Sequence, residues 1–279
     1  MKKILSVIAV VVLLCAILTS CTDVAETSAT EEGTTKAKTT TTTTTTTMRT
    51  TEDLETTFAE VATNHIYPAL EKDPDGDYPY EISSYTTYYL TSNETRTQNI
   101  QNAVSRLDQL CIPDGATFSF NQTVGKRTVL AGYEEAKIVQ GDEFVDGLGG
   151  GICQVSSTIF QAALRANLDI TMRACHSLEI SYVPLGADAT VQWNSQDFRF
   201  VNDSGCDIRL DVSAYDGNLV CTVFAKEDIT PKDLKIDITK SGEVYTLTRT
   251  VDGVENYYTD SKYQKPKPTT TAADSTTKQ

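Results

Sequence analysis

The sequence predicts an α+β fold: a central helix with a cysteine at its N-terminus, packed on a mainly antiparallel sheet. Three observations carry this. Val155, Ile159, Phe160, Ala163, Leu164 and Leu168 recur at the helical period over residues 153–168, so one face of that segment is buried. Short stretches of strand composition follow it: LEISYVP (178–184), DATVQW (188–193), FRFVN (198–202), IRLDVSAY (208–215) and LVCTVFA (219–225). Helices do not alternate with these strands, which argues against a parallel α/β sheet.

The other elements follow in order. Residues 52–70 suit a short helix, and YEISSYTTYYLTS (80–92) has the aromatic and threonine content of a strand. Residues 94–110 place Ile100, Ala103, Val104, Leu107 and Leu110 on one helical face, and Pro113-Asp114-Gly115 ends the run. ATFSFNQTVG (116–125) reads as strand then turn, and AKIVQGDEFVDGLGG (136–150) as two short strands around Gly141-Asp142. Asp216-Gly217 is a favoured type I′ pair. A hairpin turning there sets Val212 opposite Cys221, Leu210 opposite Val223 and Ile208 opposite Ala225. KIDITKSGEVYTLTRTVDGVENYYTDSKY (235–263) adds further strand.

The ends of the chain speak of location. Lys2 and Lys3 precede an apolar run from Ile4 to Leu18, the charged and apolar regions of a secretory signal peptide, residues 1–20. Leu18-Thr19-Ser20-Cys21 resembles a bacterial lipobox, in which the cysteine is acylated and becomes the new N-terminus. Residues 21–51 then form a lipidated, threonine-rich linker containing nine consecutive threonines, Thr39 to Thr47. Such a segment buries too little apolar surface to offset its ordering entropy. The globular body runs from 52 to 225, with a small β-rich extension at 226–263 and a polar tail at 264–279. These features place the protein on the extracellular face of a bacterial cytoplasmic membrane, held there by the lipid. The net charge of −14, or −16 without Lys2 and Lys3, argues against nucleic acid as a partner.

Five cysteines remain in the body: Cys111, Cys153, Cys175, Cys206 and Cys221. Cys221 reads as a core residue on the hairpin's apolar face, and Cys111 as core at the end of a helical run. No cysteine pair has zinc-ligand spacing and the chain has two histidines, so neither a metal nor a cofactor is expected. His65, beside Tyr67 and Pro68, reads as a surface residue.

Cys153 allows two readings. At a helix N-terminus, unpaired N–H groups and the helix dipole lower a thiol's pKa. His176 would then be the base and Asp188 its orienting group. Gly150 and Gly151 would admit a substrate backbone, and Gln154, Ser156 or the Cys153 N–H would contribute oxyanion or substrate contacts. In the other reading Cys153 packs where nothing larger fits, and Gln154, Ser156 and Ser157 cap the helix or satisfy backbone. A Cys153–Cys175 disulfide is a third arrangement compatible with the sequence.

The segments FSFNQTVGKRTVLAGYEEAKIVQGDEFVDGLGGGICQVSSTIFQAALRANLDI, HSLEISYVPLGADATVQW and DFRFVN together resemble the VanW family, named after an accessory protein of vancomycin-resistance clusters. The resemblance covers about residues 84–212. It implies a bacterial, usually Gram-positive, cell-envelope protein but no particular reaction. The family commonly carries a second histidine two residues before His176; this chain has Ala174 there. The order of cysteine on a helix start, then histidine, then aspartate is also similar to that of transglutaminase-like thiol enzymes. Two functions follow as expectations. One is a Cys-dependent acyl transferase or hydrolase acting on cell-wall peptide or a surface protein. The other is a non-catalytic module that binds peptidoglycan or an envelope protein.

Overall fold

The computed structural model describes residues 67–265. The expected signal peptide, Cys21, the threonine run, His65 and most of the helix expected at 52–70 lie outside them, and residues 67–70 are not helical. In chain order the strands are β1 Tyr80–Tyr88, β2 Leu110–Ile112, β3 Thr117–Ser119, β4 Glu135–Gln140, β5 Glu143–Leu148 and β6 Asp169–Met172. They continue as β7 Arg199–Val201, β8 Ile208–Tyr215, β9 Asn218–Ala225, β10 Lys235–Ser241, β11 Val244–Val251 and β12 Val254–Lys262. The helices are α1 Glu94–Leu107, α2 Phe120–Val124 and α3 Ile152–Arg165.

All the strand ladders are antiparallel, and the fold is α+β. The main sheet has the order β1-β9-β8-β2. The hairpin turns where the sequence places it, and pairs Val212 with Cys221, Leu210 with Val223 and Ile208 with Ala225. Asp216 and Gly217 both have positive φ, 47° and 78°, as a type I′ turn requires. β4 and β5 form their own hairpin, β3-β7-β6 a second sheet and β10-β11-β12 a third.

α3 lies at the centre. Of its 14 residues only Cys153 and Arg165 are not buried. It packs on β1 and β9 on one side and on α1 on another. Four phenylalanines fill the space towards β3 and β7. The Phe198 ring lies 6.0 Å from Phe118, 5.7 Å from Phe160 and 5.9 Å from Phe200. Phe198→Ala therefore leaves a cavity bounded by three rings and is expected to cost about 3–5 kcal/mol, read as a lower urea midpoint at unchanged slope. The C-terminal strands share this core: Leu247 is fully buried and Tyr257 meets Phe160 edge-on at 6.4 Å.

Several expected elements differ. Leu110 does not continue α1. Asp108 leaves the helix in extended conformation and Gln109 turns left-handed (φ 61°), so 110–112 reverses into a strand on β8. The expected turn after Ser119 is a short helix, α2, because the Ser119 hydroxyl accepts from the Gln122 N–H. The central helix ends at Arg165 rather than at Leu168, and Asp169–Met172, to which the sequence assigned no element, is strand β6. Residues 178–184 and 188–193 form no ladder and contribute isolated bridges only. His176 and Asp188 thus sit on irregular backbone rather than at strand starts. Cys221 is buried as expected, whereas Cys111 is half-buried on β2 and accepts from Tyr78 Oη at 3.1 Å.

Candidate active site

α3 begins at a tight turn, Gly149-Gly150-Gly151. Gly151 caps the helix at φ 110°, a conformation that disfavours any side chain. Cys153 is the second helical residue, so its N–H lacks an intrahelical acceptor. Its half-buried thiol opens into a cleft of about 1190 Å³. The β4–β5 hairpin supplies one wall, including Phe144 and Leu148. The irregular 177–193 segment supplies the other, including Tyr182 and Trp193.

The three glycines have a packing reason of their own. A Cβ on Gly150 would lie 2.7 Å from Ala136 Cβ and 2.8 Å from both the Ala136 carbonyl carbon and Lys137 O. Two of those three atoms are backbone of β4 and cannot swing aside. Gly150→Ala is expected to destabilise the protein by about 1–3 kcal/mol and to displace the α3 start, seen as a lowered melting temperature with slower Cys153 alkylation.

His176 and Asp188 meet beside the thiol. Asp188 is fully buried and all its bonding directions are used. Oδ2 accepts the His176 backbone N–H at 2.7 Å and Nδ1 at 2.5 Å. Oδ1 accepts Arg173 Nη2 at 3.1 Å and Tyr263 Oη at 2.5 Å. Burial opposes the carboxylate's charge, but the His176 hydrogen bond, with Arg173 and Tyr263, outweighs it and holds the pKa below the ordinary value. With Nδ1 committed to Asp188, Nε2 is the nitrogen left for the thiol; Tyr182 Oη is 3.4 Å from it. For His176 too, burial opposes the charge, yet its bonds to Asp188 and Cys153 raise the pKa to about 10. Burial pushes the Cys153 thiol up. The hydrogen bond and charge of His176, a contact to Thr190 Oγ1 (3.5 Å) and one to Val191 O (3.5 Å) bring it down to about 7.

Ser156 and Gln154 lie close to this group but are occupied. Ser156 Oγ donates to Ala189 O at 2.6 Å. Ser157 Oγ donates to Cys153 O at 2.7 Å and accepts the Ala189 N–H at 2.9 Å. The two serines clamp the first turn of α3 to the residue after Asp188. Gln154 gives both amide hydrogens to Thr87 Oγ1 and Tyr88 O, and its Oε1 accepts Arg96 Nη2 at 2.8 Å. Its donors are therefore committed to β1, which leaves the Cys153 N–H as the remaining oxyanion donor among those the sequence suggested. Cys175 also lines the cleft, and both it and Cys153 are free thiols.

Arg173, Tyr182 and Tyr263 belong to this group without standing out in the sequence. Arg173 sits three residues before His176. It reaches Thr259 Oγ1 and Ser261 Oγ on β12 and the Asp188 carbonyl, at 2.6–3.2 Å. Tyr263, 75 residues after Asp188, follows β12 directly. No local motif marks a contact of that range.

A family profile described as "VanW like protein" matches residues 95–224. The chain is 39% identical to an uncharacterised Bacillus subtilis protein, YoaR, over 63% of its own length and 59% of the relative's. It is 28% identical to the vancomycin B-type resistance protein VanW of Enterococcus faecalis, over 50% of this chain and 53% of that protein. It thus spans a little over half the length of each of these relatives. No solved structure matches it.

Proposed function

Since this chain belongs to the VanW-like family, we propose that the Cys153–His176–Asp188 group is a thiol acyl-transfer site acting on cell-wall peptide. The observation that carries this is the buried Asp188, which fixes His176 through both backbone N–H and Nδ1 and leaves Nε2 for the thiol at the head of a cleft. Structural cysteines have no use for an oriented imidazole, whereas a nucleophilic one requires it. The order of the three residues is similar to that of transglutaminase-like thiol enzymes. The resistance role in the name of the Enterococcus relative agrees with a cell-wall substrate, as would the anchoring through an acylated Cys21 that the sequence predicts.

In this reaction the Cys153 thiolate attacks an amide carbon. The C–S bond forms as the carbonyl π electrons move to oxygen, and the Cys153 N–H donates to that oxyanion. As the oxyanion collapses, the C–N bond breaks and His176 Nε2 gives its proton to the departing amine. Water or a second amine then attacks the thioester, His176 takes the incoming nucleophile's proton, and the thiolate leaves. Arg173 and Tyr263 keep Asp188 charged throughout. The test is to incubate the purified protein with solubilised cell-wall peptides and follow free amines and product masses. Wild type is expected to change the peptides and Cys153→Ser to abolish the change. Equal products from both proteins would remove the thiol from the account and leave a binding module.

A further inference from the structure

The cleft has a charge opposite to that of the chain. In a protein of net charge −14 its lining holds Arg96, Lys126, Arg127, Lys137 and Lys262 against one carboxylate, Glu179. Lys137 and Lys262 are exposed and paired, to Asp146 at 3.0 Å and Glu243 at 2.8 Å. Arg96 and Arg127 differ. Both are half-buried, and among the described residues neither has a carboxylate within ion-pair distance. Their bonds go to neutral acceptors: Arg96 to Gln154 Oε1, and Arg127 to Asn121 Oδ1 at 2.8 Å and Gly125 O at 3.0 Å. A guanidinium has five N–H donors, so each retains some.

Both arginines are placed by the glycine turn that leads to the thiol. A Cβ on Gly151 would come within 3.2 Å of Arg96 Cγ, and one on Gly149 within 3.0 Å of Arg127 Cγ. Absence of those side chains lets the two stems lie against either end of the turn, and both guanidiniums act electrostatically on Cys153. Asp197 acts on Arg127 at longer range but is ion-paired to Arg199 at 2.7 Å, so neither partly desolvated cation has a carboxylate in contact, a costly arrangement beside a nucleophile unless an anion completes it.

Resting on the thiol reading above, we propose that Arg96 and Arg127 form a carboxylate-binding subsite and that the substrate is a peptide carrying a free carboxylate near the scissile bond. The apolar walls, with Phe144 51% and Trp193 37% exposed, favour a peptide over a phosphodiester polymer.

The test compares alkylation of Cys153 by anionic iodoacetate and neutral iodoacetamide. Their rate ratio does not depend on the thiolate fraction. Relative to a free-cysteine peptide the ratio is expected to rise about tenfold, the worth of one charge-assisted hydrogen bond, and to fall back in Arg96→Gln and Arg127→Gln. In wild type, an N-acetylated alanine dipeptide with a free C-terminus is expected to protect Cys153, and its C-terminal amide not to. A ratio equal to that of the free peptide, or equal protection by acid and amide, overturns the proposal. Protection by glycerol phosphate but not by the acid overturns it in favour of a phosphodiester polymer. If Cys153 reacts with neither reagent, the thiol reading fails by itself. The subsite is then judged by calorimetry of acid against amide: tighter binding of the acid supports it and equal affinity overturns it.

Discussion

Alkylation of Cys153 by iodoacetamide is expected to rise with a midpoint near pH 7, against about 8.5 for an ordinary thiol. The sign follows from the two partners. Below about pH 7 the thiol is protonated. Between about 7 and 10 thiolate and imidazolium coexist, and above about 10 His176 loses its proton and the thiolate its counter-ion. His176→Ala removes the chief lowering influence while burial, which raises the pKa, persists. The variant's midpoint is therefore expected above 8.5, with labelling at pH 7 reduced more than tenfold. Peptide mapping by mass spectrometry reads both. Equal midpoints in the two proteins would show that His176 does not act on the thiol. The same shift has a stability consequence. His176 has its folded-state pKa raised, so its contribution is complete below about pH 6.5 and is lost as pH rises through about 10.

Arg173→Met is expected to be the most damaging single change at the site. The Arg173 side chain is 2% exposed and Asp188 0%, so the substitution leaves a buried carboxylate with the His176 imidazolium in place of two cationic partners. Breaking such a pair costs about 3–5 kcal/mol, measured here by urea denaturation. The substitution also releases β12, which Arg173 holds through Thr259 and Ser261. Tyr263→Phe is the milder companion. It removes one hydrogen bond to Asp188 Oδ1 and the acceptor of the Gly186 N–H, and is expected to cost about 1–3 kcal/mol. If Tyr263 positions Asp188, and through it His176, the alkylation midpoint of Cys153 rises in Tyr263→Phe. If Tyr263 only adds stability, the midpoint stays near 7 in the folded variant. The outcome bears on the C-terminal segment, which lies beyond the residues matched to the family yet carries Tyr263 from the end of β12 to the Asp188 carboxylate.

The sequence was most legible where one local rule determined the structure. The apolar period of α3 and the Asp216-Gly217 turn gave the central helix and the hairpin register, because a type I′ turn leaves one pairing. Cys153, His176 and Asp188 could be singled out because a cysteine after three glycines, and one histidine in the body downstream of it, narrowed the choice. Less legible was the backbone carrying His176 and Asp188. LEISYVP and DATVQW have strand composition, but Ala189 bonds to the α3 serines and Asp188 to His176 instead of to a neighbouring strand, and LEISYVP contributes only the isolated bridge of Leu178 to Gln264. β2 and α2 were hidden by single residues, Gln109 at positive φ and Ser119 as a cap. Arg96 and Arg127 gave no signal as members of the site. Each reads as an ordinary surface cation until the glycine turn is seen to bring it beside the thiol.

The central claim is that Cys153 forms a covalent acyl intermediate. Its most direct test is the mass of Cys153-containing peptides after brief mixing of the protein with solubilised cell-wall peptides and acid quench. The account predicts an acyl adduct on Cys153 that hydroxylamine removes and that Cys153→Ser lacks. An unmodified Cys153, in protein shown by calorimetry to bind the same peptides, would contradict it and establish the cleft as a binding site alone.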